Sequence, residues 1–169
     1  MLKLKNKFGI DGRLLKFITD YLRDRQQQVL ISGKFSSMKS AQSGVPQGSI
    51  LGPLLFIIFI DDIAGGISPG THLSLYADDT KIWRQISSDT DILRLQKDID
   101  YLHDWSLSNK MRFHPDKCKV LSVTGKVSEA LSLLSMLPFY NFIYSMGGNS
   151  LDYVDLEKDL GVIVTKNLD

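Results

Sequence analysis

Thr71-His72-Leu73-Ser74-Leu75-Tyr76-Ala77-Asp78-Asp79-Thr80-Lys81-Ile82-Trp83-Arg84-Gln85-Ile86 holds two runs that read as strands, Thr71 to Tyr76 and Thr80 to Ile86. The four residues Tyr76-Ala77-Asp78-Asp79 join them, so two adjacent carboxylates fall at the tip of a tight hairpin. Like charges this close repel, and a folded site that keeps both ionised usually supplies a cation. Hard oxygen ligands suit Mg²⁺ (or Mn²⁺), which takes one or two carboxylates together with substrate phosphates. An ordinary surface hairpin accounts for the same four residues, since Asp is a common turn residue.

Outward from this hairpin the chain reads as a globular protein. Its 169 residues fit one domain, and a composition 43% hydrophobic and 23% charged can build a core. One cysteine, Cys118, leaves no intrachain disulfide and no cysteine-based zinc cluster, and is read as a small strand residue. Lys3, Lys5 and Lys7 near the start are not followed by an apolar signal core, and the longest apolar run, Leu54 to Ile60, is too short to span a bilayer. The expectation is a soluble chain of a reducing compartment with no membrane partner.

Net charge is +1, weak support for a surface that grips phosphates. The charge is uneven. Lys3, Lys5, Lys7, Arg13, Lys16, Arg23 and Arg25 face Asp11, Asp20 and Asp24 in the first 25 residues, whereas Asp152, Asp155, Glu157, Asp159 and Asp169 outweigh Lys158 and Lys166 in the last 19. The basic end reads equally as a solvated helix face or a nucleic-acid contact.

Periodicity predicts a helix over Asp11 to Asp24 with Leu14, Leu15, Ile18, Tyr21 and Leu22 on one stripe. Gln28 to Ile31 and Met38 to Ser43 form a hairpin around Gly33, and Ser43 to Gly52 is a punctuated loop. Pro53 suits a helix's first turn, and the helix through Ile60 is apolar on every side, hence expected to be buried. Gly65-Gly66 ends it. The clearest helix is Asp89 to Leu107, with Ile92, Leu95, Ile99, Leu102 and Trp105 aligned. Lys117 to Thr124, Asn141 to Met146 and Gly161 to Thr165 are expected strands, with Gly147-Gly148-Asn149 a turn and Gly125 to Leu137 an insertion. Such an order is α+β.

Ser43-Gly44-Val45-Pro46-Gln47-Gly48-Ser49-Ile50-Leu51-Gly52-Pro53, taken with Tyr76-Ala77-Asp78-Asp79, resembles motifs B and C of a reverse transcriptase, most nearly those of non-LTR (LINE-type) retrotransposons. Gly9-Ile10-Asp11-Gly12-Arg13-Leu14-Leu15 resembles the helix opening after motif A, and Gly33-Lys34-Phe35-Ser36-Ser37 the hairpin turn before motif B. Phe113-His114-Pro115-Asp116-Lys117-Cys118-Lys119 resembles motif D, and Asp159-Leu160-Gly161-Val162 the segment near motif E. The resemblance covers nearly the whole chain, with motif B at 43–53, motif C at 76–79, motif D at about 109–120 and the motif E region at about 151–165.

The resemblance implies a polymerase palm: an antiparallel sheet with helices on one face, incomplete at its N-terminus. It implies RNA-directed DNA polymerisation by two metal ions, with Asp78 the main ligand and Asp79 the weaker one. Tyr76 is expected to pack and position the hairpin. Pro46, Gln47 and Gly48 would contact the incoming deoxynucleoside triphosphate: glycine lets a backbone approach closely, and an amide donates and accepts without charge. Lys117 matches a lysine proposed as general acid toward pyrophosphate, although a solvated lysine fits as well. Asp61-Asp62 closes a helix, where the dipole disfavours anions, and is read as structural. His72, His103 and His114 are given no role, and Trp83 and Trp105 are placed in the core. RNA template and DNA primer are the implied partners, and the nucleus the implied intracellular site.

One departure counts against activity. The family's motif A aspartate precedes the Gly9-Ile10 helix, yet Met1 to Phe8 contain no Asp or Glu. Most of the fingers and the thumb are likewise unmatched. The expectation is a fragment inactive alone; the alternatives are a non-catalytic nucleic-acid- or protein-binding remnant and a group II intron maturase-type enzyme.

Overall fold

The computed structural model describes residues 2–41, 44–123 and 142–166. The chain divides into two compact units, Met1–Asp62 and Ile63–Asp169.

In the first unit, α1 (Leu2–Asn6) and α2 (Gly12–Leu22) precede two nested ladders. β1 (Gln26–Gln27) pairs with β4 (Lys39–Ser40), and β2 (Leu30–Ile31) with β3 (Lys34–Phe35) across the Ser32-Gly33 turn. The hairpin around Gly33 is therefore present, in shorter pieces than expected. α3 (Leu51–Ile60) follows. Leu4, Ile18 and Leu55 form the core, with Ile10, Leu15, Tyr21, Leu22, Val45, Leu51 and Ile58 packed around it. Two corrections arise here. Leu14 lies off the buried stripe of α2, and α3 buries only one side: Leu55 and Ile60 are covered, whereas Leu54 and Ile57 are 54% and 61% exposed. A sequence apolar all round cannot say which side finds a partner.

The ambiguous basic end resolves in part into ion pairs. Lys3 pairs with Asp62 at 2.7 Å and also donates to the Phe59 carbonyl, and Lys7 pairs with Asp61. Cations at the C-terminus of α3 complement its dipole and its unsatisfied carbonyls. Asp61-Asp62 is thus structural, as expected.

The second unit opens with a hairpin of β5 (Thr71–Tyr76) and β6 (Asp79–Arg84). α4 (Asp89–Ser108) carries the expected stripe, with Ile92, Ile99, Leu102 and Trp105 buried. Ile92 and Ile99 pack with Tyr144, Met146 and Leu151, and Leu95, Phe113, Cys118, Val120 and Phe142 surround them. Burial lifts the Tyr144 hydroxyl pKa to about 12. A short 3₁₀ turn (Pro115–Lys117) leads into β7 (Lys119–Leu121), which pairs in parallel with β10 (Asp152–Val154). β8 (Ser145–Met146) and β9 (Asn149–Ser150) form a hairpin across Gly147-Gly148, as do β11 (Leu156–Asp159) and β12 (Val162–Thr165) across Leu160-Gly161. β10 and β11 went unread in the sequence, and Ser43, Thr124, Asn141 and the expected insertion at Gly125 to Leu137 lie outside the described residues.

The fold class is mixed α and β, but the single antiparallel sheet is not seen. Among the described residues there are six two-stranded ladders, five antiparallel and one parallel. Several strands are only two residues long, below the usual length of about 3–10 residues for globular strands.

Candidate functional site

The register of β5 and β6 pairs Tyr76 with Asp79, so Ala77 and Asp78 alone make the turn. Ala77 takes φ +51°, a left-handed conformation that two-residue hairpins favour and that costs an L-residue about 1–2 kcal/mol. Asp78 and Asp79 are both exposed. Neither carboxylate has a hydrogen bond or ion pair among the described residues, in contrast to Asp61, Asp62, Asp91, Asp98 and Asp159. Two adjacent carboxylates without a protein partner are a donor set that fits a hard divalent cation. No cluster of three or more His, Cys, Asp or Glu side chains suited to a metal occurs among the described residues. The pair would therefore need ligands from substrate, water or other chain.

Tyr76 is 64% exposed and does not pack, contrary to expectation. Trp83 is also not core: it is 45% exposed and stacks on His72, directly opposite it in the ladder, at 5.3 Å between ring centroids. Both belong to the outward face of the hairpin, whose alternation turns Leu73 and Ile82 inward. Trp105 is buried as expected.

The base of the hairpin is tied down by residues that sequence reading passed over. Arg84 donates through Nε and Nη2 to Asp91 Oδ1 at 3.1 and 3.0 Å, and through Nη1 to the Pro69 carbonyl and Thr71 Oγ1, both at 2.9 Å. Hydrogen bonds from Ser88 and then from Arg84 hold the Asp91 carboxyl below the usual carboxylate range. Asp98, fully buried on α4, accepts from the Ser68 backbone N–H at 2.9 Å and the Ser68 hydroxyl at 2.7 Å. One signal was available: Asp98 lies three residues from Leu95 and four from Leu102, inside the apolar stripe.

The loop before α3 belongs to the first unit. Ser49 Oγ donates to the Pro46 carbonyl at 2.7 Å and accepts from the Gly52 N–H at 3.0 Å, capping the helix start. Gly48 takes φ +74°, where glycine is unstrained. Gln47 is exposed and makes no hydrogen bond among the described residues, so its amide is available to a ligand. A Cβ on Gly52 would stand 2.8 Å from both the Pro46 carbonyl oxygen and Ser49 Oγ. Gly52→Ala is expected to cost about 1–3 kcal/mol through this overpacking, read as a lower urea midpoint; an unchanged midpoint would show that the loop opens freely.

Lys117 ends the 3₁₀ turn with its side chain exposed. Its neighbour Lys119 instead pairs with Asp152 at 2.9 Å across the parallel ladder; that hydrogen bond raises the lysine pKa and lowers the aspartate's. Cys118 is half-buried, and burial pushes its thiol pKa up.

Residues 2–149 match the family described as reverse transcriptase (RNA-dependent DNA polymerase). The chain belongs to that family. Its relatives are of the LINE type. It is 28% identical over 173 residues to the RNA-directed DNA polymerase from mobile element jockey of Drosophila funebris, covering 97% of this chain and 18% of that protein. The jockey polymerase of Drosophila melanogaster is 29% identical over 153 residues, covering 83% of this chain and 16% of its own length. The Pol polyprotein of the type-1 retrotransposable element R2 from Popillia japonica is 26% identical over 169 residues, covering 92% and 27%. The chain thus spans less than a third of each of these relatives. No solved structure matches it. Reverse transcriptases bind nucleic acid and generally use divalent metal ions; no helix among this chain's described residues is long and apolar enough to cross a membrane.

Proposed function

We propose that this chain is a palm segment of the RNA-directed DNA polymerase of a LINE-type retrotransposon, with Asp78 and Asp79 as ligands for Mg²⁺ or Mn²⁺. The reading rests on two adjacent, exposed carboxylates at a hairpin tip, Asp78 in the turn and Asp79 opening β6, both without a partner among the described residues, in a chain of the reverse transcriptase family. Divalent ions bound there would supply charge stabilisation for the attacking 3′-hydroxyl and the leaving pyrophosphate. Asp78 and Asp79 hold them at the hairpin tip. The Pro46-Gln47-Gly48 loop orients the deoxynucleoside triphosphate, with the Gln47 amide contacting sugar or base. Lys117 is the candidate proton donor to the leaving group. RNA template and DNA primer are the partners of the complete polymerase, to which other segments contribute a motif A aspartate, fingers and thumb.

Primer extension tests this in a polypeptide that joins the chain to such flanking segments. RNA-templated DNA synthesis is expected. Gln47→Ala should raise the nucleotide KM a few-fold to about tenfold, the worth of a hydrogen bond of about 0.5–1.5 kcal/mol. Lys117→Ala should change least if that lysine is merely solvated. A polypeptide that binds RNA yet never extends a primer would favour the non-catalytic remnant.

A further inference from the structure

The β5–β6 hairpin carries its two candidate ligands at one end and its anchors at the other. Thr71 pairs with Arg84 at the base and Tyr76 with Asp79 at the tip. Five residue steps separate them, roughly 17 Å at about 3.4 Å per residue. Ladder hydrogen bonds keep the two strands together but do not aim the hairpin. Its aim depends on what the base is fastened to.

We infer that Asp98 and the Arg84–Asp91 pair are positioning residues for the carboxylates of Asp78 and Asp79, fixing the base of the hairpin to α4 from both sides. This rests on the metal-site reading above. On the approach to β5, Asp98 takes both donors of Ser68, backbone and side chain. On the exit from β6, Arg84 forks onto Asp91 and returns to Pro69 and Thr71, closing a ring across the two strands. The Arg84 and Asp91 side chains are only 6% and 16% exposed. The bonds from Arg84 to Asp91 and Thr71 are therefore partly shielded from water, unlike the exposed Lys81–Asp159 pair nearer the tip of the hairpin.

Asp98 is a residue that packing alone does not call for. One of its oxygens receives both Ser68 bonds, while Oδ2 is buried without a partner among the described residues. An unsatisfied buried oxygen works against stability. A lever explains why the site is nonetheless useful. A tilt of about 5° at the base displaces a tip about 17 Å away by roughly 1.5 Å. Misplacing reacting groups by about 1 Å can cost roughly a hundredfold in rate.

The test uses the 169-residue chain and Mn²⁺ alone, titrated by electron paramagnetic resonance, with a thermal melt of every variant. Asp98→Ala is expected to weaken Mn²⁺ binding about tenfold, the lower end of what supporting residues contribute at metal sites. Asp98→Asn keeps an oxygen for Ser68 and should recover most of the affinity. Leu151→Ala, in the core away from the hairpin, should lower the melting temperature yet leave Mn²⁺ affinity within about twofold in the folded range. If Asp98→Ala does not fold, Ser68→Ala and Arg84→Lys, which each loosen one tether, should each weaken binding several-fold. Equal Mn²⁺ affinity in these tether variants and the unmodified chain overturns the inference, as does an equal loss in Leu151→Ala. Asp78→Ala separates the two levels: if it leaves Mn²⁺ binding unchanged, the metal-site reading itself fails. If it removes binding while the tether variants do not, only the positioning role fails.

Discussion

Asp78→Ala is expected to reduce RNA-templated primer extension to background in a polymerase that carries this chain. Asp78 occupies the turn itself, exposed and without a partner among the described residues, so little folding energy depends on its carboxylate. What the substitution removes is an anionic oxygen at the point where cations are to be held. Losing one preorganised electrostatic group costs roughly 10²–10³ in kcat at other active sites, and a metal ligand should lie at or beyond the upper end. Asp79 cannot compensate, because its carboxylate is the other ligand of the pair and it opens β6 rather than lying in the turn. Asp79→Ala should therefore act in the same direction with a smaller loss. The measurement is single-turnover extension on an RNA template, paired with a melt to show that the fold is intact. Extension that survives Asp78→Ala would mean that the active site lies elsewhere.

Ile99→Ala is expected to have the largest effect on stability. Ile99 is buried at the centre of the α4 stripe, against Tyr144, Met146 and Leu151. Those residues arrive from distant sequence, so α4 cannot move to fill the space without breaking its other contacts. Large-to-small changes of this kind cost about 2–5 kcal/mol, against a total stability of about 5–15 kcal/mol for an ordinary domain. Urea unfolding should show a markedly lower midpoint with little change in α2, which belongs to the other unit. A loss below about 1 kcal/mol would show that the cluster around Ile99 is not the core of its unit.

Local pattern carried much of this molecule. α4 was legible because an apolar residue returned every three or four positions from Ile92 to Trp105, nearly four turns, and that period has one solution. The hairpin was legible because two strand-like runs flanked a short polar link, and the carboxylates at its tip stood out as candidate ligands only through the motifs around them. Family membership followed from the order of short motifs, before any side chain was placed.

Tertiary structure decided which groups were already engaged. Lys3 and Lys7 looked free to meet phosphate until Asp62 and Asp61 came beside them. Trp83 looked like core, but the hairpin's alternation turned it outward onto His72. The Gln96 amide bonds both the N–H and the carbonyl of Ser145, at 2.9 and 2.8 Å, serving β8 as a neighbouring strand would. The parallel pairing of β7 with β10 joins Lys119 to Asp152 across the ladder. Each of these contacts links residues that sequence periodicity treats separately. Burial and charge pairing are properties of what lies across the gap, and for Asp98 that was a serine thirty residues earlier in the chain.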